Sequence, residues 1–184
     1  MSDSPRVEQT AIGIRDATDA DLPFVLSILN PHIVGSPYVY AEAPLTLDER
    51  RAWLVTHTTA GLPIVIAHDD AGVSLGWASL SPYRPSSGYR YTVEASVYVD
   101  PRFHRRGVAG TLLTSLEDRA RWSEKHVIVA SIDSENAASI ALFERCGYVE
   151  VARLPEVGRK FDRWRTQVLL QKIIAPQDAS LVTR

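Results

Sequence analysis

The stretch 92–113, TVEASVYVDPRFHRRGVAGTLL, constrains the fold more than any other part of the chain, because a strand runs there straight into a basic, glycine-containing loop and then a helix. Its first eight residues are mostly β-branched, aromatic or small, as a buried strand requires, and Asp100-Pro101 ends the strand. The loop HRRGVAG at 104–110 is too basic and too rich in small residues to be core. Its free backbone N–H groups at a helix start, together with the helix dipole, make an anion site.

With 184 residues, 45% hydrophobic and 23% charged, the chain has the composition of one globular domain with ample core. A net charge of −2 gives no basic field of the kind that draws nucleic acid or anionic membrane, so the expected partners are small molecules. The single cysteine, Cys146, excludes an internal disulfide and suits a reducing compartment. MSDSPRVEQT has no signal-like apolar run and no stretch approaches the ~18 apolar residues of a membrane span, so a cytoplasmic location is expected. The five histidines show no ligand spacing, and no metal is inferred.

Residues 1–10 are polar and expected to be flexible, 11–174 form the domain, and 175–184 read as a flexible tail. Residues 12–15 predict a first strand. Thr18 with Asp21 opens a helix whose apolar stripe is Leu22, Val25, Leu26 and Leu29, and Pro31 limits it to Asn30. An irregular segment with Tyr38 and Tyr40 follows, before Thr46 and Glu49 cap a second helix through about His57. Residues 63–67 and 73–80 form an antiparallel hairpin, and 81–91, with Pro82, Pro85 and Gly88, is a loop suited to substrate contacts. After the central strand and loop, a helix runs to about Glu124, 127–132 is a buried strand, and Asn136 to Cys146 is a helix stopped by Gly147. Residues 148–154 and 166–172 are the last strands. The order predicts an α/β fold: a mixed, mostly antiparallel sheet of about seven strands flanked by about four helices.

SVYVDP followed by RRGVAG resembles the strand and pyrophosphate loop of the GNAT superfamily of acetyl-CoA-dependent N-acetyltransferases, and YRYTVEASVYV at 89–99 is similar to its phosphinothricin acetyltransferase branch. In the loop pattern Gly107 and Ala109 fit, while His104 stands where glutamine or arginine is usual. The resemblance implies the GNAT fold over roughly 12–173, acetyl-CoA as donor, a small amino-acid-like amine as acceptor, direct attack in a ternary complex, and a homodimer with substrate sites near the subunit boundary. Acetylation of a protein N-terminus or antibiotic amine, and a non-catalytic acyl-CoA sensor, remain alternatives.

Glu94 is a carboxylate in an otherwise uncharged strand, a placement that costs free energy unless the group is paired, hydrated or raised in pKa. It reads either as a partner of Arg84 or Arg90 or as the base that deprotonates an ammonium substrate; the resemblance implies the base. The resemblance also implies that a backbone N–H near Val97 polarises the acetyl carbonyl, with Tyr98 and Val99 beside it. Arg105, Arg106, Gly107, Val108, Ala109 and Gly110 are expected to face the pyrophosphate. Asn136 and Ser139 match the family's AsnXaaXaaSer, where asparagine contacts the pantetheine arm; the same residues serve equally as a helix cap. Phe143 stands where the family carries a tyrosine or histidine acid, and cannot donate a proton.

For the acceptor, Tyr83, Arg84 and Tyr89 match the family's TyrArgXaaArgXaaXaaTyr, with Ser86 in place of the second arginine. Residues 157–166 resemble ValGlyXaaLysXaaGlyXaaTrpXaaAsp, retaining Lys160 and Trp164 while Asp162 and Thr166 depart from it. These cations would hold a carboxylate or phosphinate. Trp53, Trp77 and Trp122 lie in apolar patterns that read as core or interface, and Cys146 as a small packed residue.

Overall fold

The structure is a computed structural model describing residues 11–174; the two termini, for which flexible ends are expected, lie outside the described residues. The elements are β1 (Gly13–Asp16), α1 (Leu22–Gly35), α2 (Leu47–Thr59), β2 (Ile64–His68), β3 (Ser74–Pro82), β4 (Thr92–Val99), α3 (Val108–Trp122), β5 (Val127–Asp133), α4 (Ala137–Arg145), β6 (Val149–Lys160) and β7 (Arg163–Ile173). The seven strands form one sheet in the order β1-β2-β3-β4-β5-β7-β6. Every pair is antiparallel except β4 with β5. Among the described residues no helix is long and apolar enough to cross a membrane.

Strand alternation sends Val93 and Ala95 to one face of β4 and Tyr98 to the other, and each face builds its own core. On the first, Leu112, Leu113, Leu116 and Ala120 of α3 and Phe143 of α4 pack on Val65, Ala78, Ile128 and Leu170. On the second, Val25, Ile28, Leu29 and Ile33 of α1 pack on Ile66 and Trp77. A fully buried aliphatic side chain contributes roughly 1.5–3 kcal/mol, so these two stripes fix α1 and α3 against the sheet far more strongly than helix propensity does.

Both expected capping sites form. The Asp21 carboxylate accepts from the Thr18 N–H at 2.8 Å and from Arg15 at 2.6 and 2.8 Å. These bonds, led by that from Arg15, lower its pKa to about 2. At α2, Thr46 and Glu49 exchange reciprocal bonds, Thr46 N to Glu49 at 2.7 Å and Glu49 N to Thr46 at 3.3 Å.

Pro31 does not end α1, which continues to Gly35. Its side is exposed, so the missing N–H falls on the solvent face while Ile28, Leu29 and Ile33 keep the helix seated. The last two strands are longer than expected, closing at Phe161-Asp162, where φ is 49° and 57°. Positive φ at both central residues is the signature of a type I′ hairpin turn, here made without the usual Asn-Gly. A bulge between Leu154 and Gly158, with Glu156 at φ 54°, absorbs Pro155. Trp122 is exposed rather than core.

At Gly76 of β3 the neighbouring strand β4 leaves no room for a side chain. A Cβ there would stand 2.6 Å from the Tyr98 carbonyl oxygen and 3.1 Å from the Val99 Cα, both backbone atoms that cannot rotate away. Gly76→Ala should therefore force β3 and β4 apart and destabilise the domain by about 1–3 kcal/mol, read as a lowered urea midpoint; an unchanged midpoint would show that the strands have slack.

Candidate active site

β4 and β5 run parallel for only three residue pairs, Thr92 with Val127, Val93 with Ile128 and Glu94 with Val129. Beyond them each strand keeps its outer partner: β4 stays on β3 as far as Val99, and β5 stays on β7 as far as Asp133. The sheet therefore splits along its middle. The peptide of Asp100 points to β3, donating to the Leu75 carbonyl at 3.0 Å. By alternation Tyr98 and Ser96 point the same way, which aims the N–H and C=O of Val97 and Val99 into the split.

A cleft of about 640 Å³ fills this gap, bounded by 95–99 of β4, Ser131 to Asp133 of β5, the start of α3, and one side of α4. His104 closes its end: Nε2 donates to the Val99 carbonyl at 3.1 Å, which uses one of the groups left by the split and places the proton on that nitrogen. His104 thus ties the loop to the end of β4.

The loop turns into α3 through Arg105 at φ 62° and Gly107 at φ 84°. No side chain caps α3, and the first intrahelical bond from this turn is Thr111 N to Gly107 O at 3.0 Å. The N–H groups of Val108, Ala109 and Gly110 are consequently unpaired at the cleft. A Cβ at Gly107 or Gly110 would meet nothing within 4 Å, so the space before these amides is open. Arg105 and Arg145 supply the positive side chains of the lining, and Asp133 is its one carboxylate.

Asp133 is already neutralised. Although burial opposes its ionisation, hydrogen bonds from Arg165 at 2.7 and 2.8 Å, the Glu135 N–H at 2.9 Å and the Tyr40 hydroxyl at 3.0 Å hold its carboxyl below the usual range. Tyr40 is pushed up to about 12, first by burial and then by that carboxylate. Its ring lies flat on Gly158, where a Cβ would come within 2.5 Å. Lys160, also buried, donates to the Ala41 carbonyl. Together these contacts clasp the segment between α1 and α2, with the cleft residues Tyr38 and Val39, onto the β6-β7 hairpin.

Of the expected donor-binding residues, Val97, Tyr98, Val99, Arg105, Gly107, Val108, Ala109, Gly110, Asn136 and Ser139 line this one cleft. Arg106 does not; its guanidinium lies 5.4 Å from the Phe103 ring. Asn136 does cap α4, accepting from Ser139 N at 3.2 Å, which leaves its amide N–H₂ free toward the cleft. Glu94, half-buried, is the last β4 residue before the split and lies opposite Ser81 of β3. It forms none of the ion pairs among the described residues. Arg84 instead lies 5.1 Å from the Tyr83 ring and 5.9 Å from that of Tyr89, while Arg90 lies 4.3 Å from Tyr91.

Tyr83, Arg84 and Tyr89 therefore form one exposed aromatic-cationic cluster outside the cleft. Lys160 is spent on the clasp, and Trp164 stands 61% exposed on the hairpin. Sequence reasoning missed His32, whose ring lies 6.0 Å from Tyr98 and whose pKa is lowered by burial and by His104. It also missed the Asp133–Arg165–Tyr40 network, whose only sequence signal is Arg165 at an inward-facing position of β7. Phe143 packs edge-on against Tyr148 at 4.9 Å and presents hydrocarbon to the cleft.

Residues 29–148 match the acetyltransferase (GNAT) family. The chain is 43% identical over 163 residues to an L-methionine sulfoximine/L-methionine sulfone acetyltransferase of Pseudomonas aeruginosa, covering 89% of this chain and 95% of that protein. It is 37% identical to a phosphinothricin N-acetyltransferase of Alcaligenes faecalis over 93% of this chain and 87% of the other. The structure of yncA from Salmonella typhimurium with its cofactor acetyl-CoA superimposes with a TM-score of 0.86 at 36% identity, covering 92% of this chain and 98% of that one.

Tyr40→Phe removes a hydrogen bond to a buried carboxylate and should cost about 1.5–3 kcal/mol in urea unfolding. The cost should shrink on acidification. The Asp133 pKa is depressed in the folded state, so its stabilisation is present above the unfolded value of about 3.9 and fades as pH falls through the folded one. A pH-independent difference would mean that the hydroxyl does not feel that charge.

Proposed function

The chain belongs to the acetyltransferase (GNAT) family, and from that premise we propose that it transfers the acetyl group of acetyl-CoA to the primary amine of a small amino-acid-like acceptor of the methionine sulfoximine, methionine sulfone or phosphinothricin type, in the cytoplasm. The observation that carries this reading is the split between β4 and β5, with three free amides of an uncapped helix at one end and an unpaired carboxylate at the other.

Acetyl-CoA, when bound, supplies an acetyl group activated as a thioester. The amides of Val108, Ala109 and Gly110, with Arg105, hold its pyrophosphate, for which uncapped helix N–H groups and open space are the fitting chemistry. Asn136 and Ser139 border the arm from α4. The Val97 N–H, released by the split, is the donor available to the acetyl oxygen. Glu94 takes the proton that an ammonium must lose before it can attack, and among the described residues no arginine is paired with that carboxylate. Phe143 offers no proton to the departing sulfur. With a thiol pKa of about 8.5 the thiolate leaves without one. Holding both reactants in one cleft supplies much of the rate, so no covalent enzyme intermediate is required.

The edge hairpin supports a homodimer. Val149, Val151, Val157, Phe161 and Trp164 are each more than half exposed there, an apolar surface that a monomer would leave in water. Substrate residues that stand apart from their own cleft, Trp164 above all, would then lie at the subunit boundary.

Free-thiol release from acetyl-CoA across a panel of amines tests the reading: phosphinothricin, methionine sulfoximine, methionine sulfone, common amino acids, polyamines, aminoglycosides and N-terminal peptides. Turnover should be selective for the amino-acid analogues. Glu94→Gln should lower it by ~10²–10⁴ with acetyl-CoA affinity unchanged, and Gly107→Glu should instead weaken acetyl-CoA binding by like-charge repulsion. Turnover of peptides or aminoglycosides alone would discard the acceptor class, and equal turnover by Glu94→Gln would remove the base.

A further inference from the structure

Arg50 of α2 is a buried cation with no anion. The residue is 8% exposed, yet its guanidinium takes part in none of the ion pairs or hydrogen bonds among the described residues, and Nε is fully buried without a partner. Two ring faces flank it, 4.3 Å from the centre of Trp53 and 5.9 Å from that of Trp77. Trp77 itself, 2% exposed, has an equally buried and unpartnered Nε1–H. Tyr98 stacks on Trp77 at 4.6 Å with the planes 16° apart, and burial raises the pKa of its hydroxyl while the charge of Arg50 opposes that rise.

Two neighbouring groups, Arg50 Nε and Trp77 Nε1, thus offer buried hydrogen bonds that no protein oxygen receives. Buried donors are normally paired, and a buried charge normally has a counter-charge. Aromatic faces attract a guanidinium, but they leave the in-plane Nε–H unsatisfied. The other polar groups nearby are committed elsewhere. Glu49 is held by Thr46 in the helix cap. His57 donates through Nδ1 to the Trp53 carbonyl at 2.9 Å and accepts from the Ser81 hydroxyl through Nε2 at 3.0 Å, remaining neutral because burial lowers its pKa.

The cluster also has a direction. Tyr98 lines the cleft, and Glu94 lies on the same face of β4, opposite the Ser81 that His57 holds. Arg50, Trp53 and His57 are spaced i, i+3, i+7 and so form one stripe of α2 over that face. The α2 stripe brings a cation, Arg50, and the strand facing it a carboxylate, Glu94, to one side of the sheet, which is the charge pattern of an amino acid in reverse.

We propose that Arg50, with the Trp77 and Tyr98 donors beside it, binds the carboxylate of the acceptor and thereby selects amino acids over simple amines. The assignment rests on the acetyl-transfer reading above. It adds a cation that neither the loop 81–91 nor the hairpin motif contains, and it compensates for Ser86 standing where the family has an arginine.

The test compares an accepted amino acid with its methyl ester, which keeps the amine and removes the negative charge. In Arg50→Met the KM for the acid should rise about 10- to 100-fold, the range of a lost charge-assisted bond, with the ester and acetyl-CoA values unchanged. Arg50→Lys should recover part of the loss. An equal effect on acid and ester, or a wild-type enzyme that does not discriminate between them, would overturn the proposal. Should Arg50→Met fail to fold, Trp77→Phe keeps a ring and removes one donor, and must raise the KM for the acid several-fold while sparing the ester. Independently, the des-amino form of the acid should quench the fluorescence of Trp53 and Trp77 in the wild-type protein at concentrations that inhibit turnover, and no response would overturn the site. Silence toward every amine would instead sink the acetyl-transfer reading, while that titration still decides whether Arg50 binds a carboxylate.

Discussion

The early end of the β4-β5 ladder is the constraint on which the rest of this molecule depends. A parallel pair broken after three residues strands backbone N–H and C=O groups in the middle of a sheet, where unpaired peptide groups are expensive. The fold answers in two ways. One carbonyl, that of Val99, is taken by His104. The remaining groups face a cleft large enough to hold a polar ligand, so the same defect that weakens the sheet gives the site its hydrogen-bonding capacity.

Keeping that cleft open requires the strands on either side to be held from outside. β4 is held by its full antiparallel ladder with β3, at a closeness that only Gly76 permits. β5 is held by seven residue pairs with β7, and at its end Asp133 is locked by Arg165 while also receiving Tyr40 from the far side of the cleft. This carboxylate therefore ties the α1-α2 segment to the sheet, and its charge is offset by Arg165, a guanidinium that it shares with Glu135.

The order of elements, both capped helix starts and the strand-loop-helix at 92–113 were legible in the residues because each is a local pattern: a capping pair three apart, an alternating run, a glycine after a strand. Ten of the residues expected to bind the donor, read from two short motifs, line one cleft for the same reason. What was not legible depends on which strand lies beside which. The split at Glu94 is a relation between segments more than thirty residues apart, and VIVASID looks the same whether its neighbour stays or leaves. Pro31 misled because a local rule about a missing N–H lost to four buried side chains of α1, whose contribution depends on Ile66 and Trp77 being across from them. Lys160 likewise carries a motif position, and its ammonium is used on the Ala41 carbonyl, a contact 119 residues away in sequence.

The two anion sites proposed on the two faces of the sheet would hold negative charge by different physics, and the difference suits the ligands proposed for each. On the α3 face the anion site is made of peptide N–H groups and a helix terminus, open, rigid and indifferent to the rest of the ligand. That is appropriate for a diphosphate, which brings enough charge to be held without a buried counter-ion. On the α2 face the group proposed for this is a guanidinium packed against Trp53 and Trp77, where water is scarce and a single charge is felt strongly. Such a group raises the cost of an empty or mismatched site, and discrimination is gained from that cost: a buried donor set left unpaired rejects the ligand that lacks its acceptor more strongly than any exposed contact could. A cleft that accepts its donor by backbone geometry and its acceptor by buried charge can therefore keep the first constant while the second changes with a few side chains on α2 and β3.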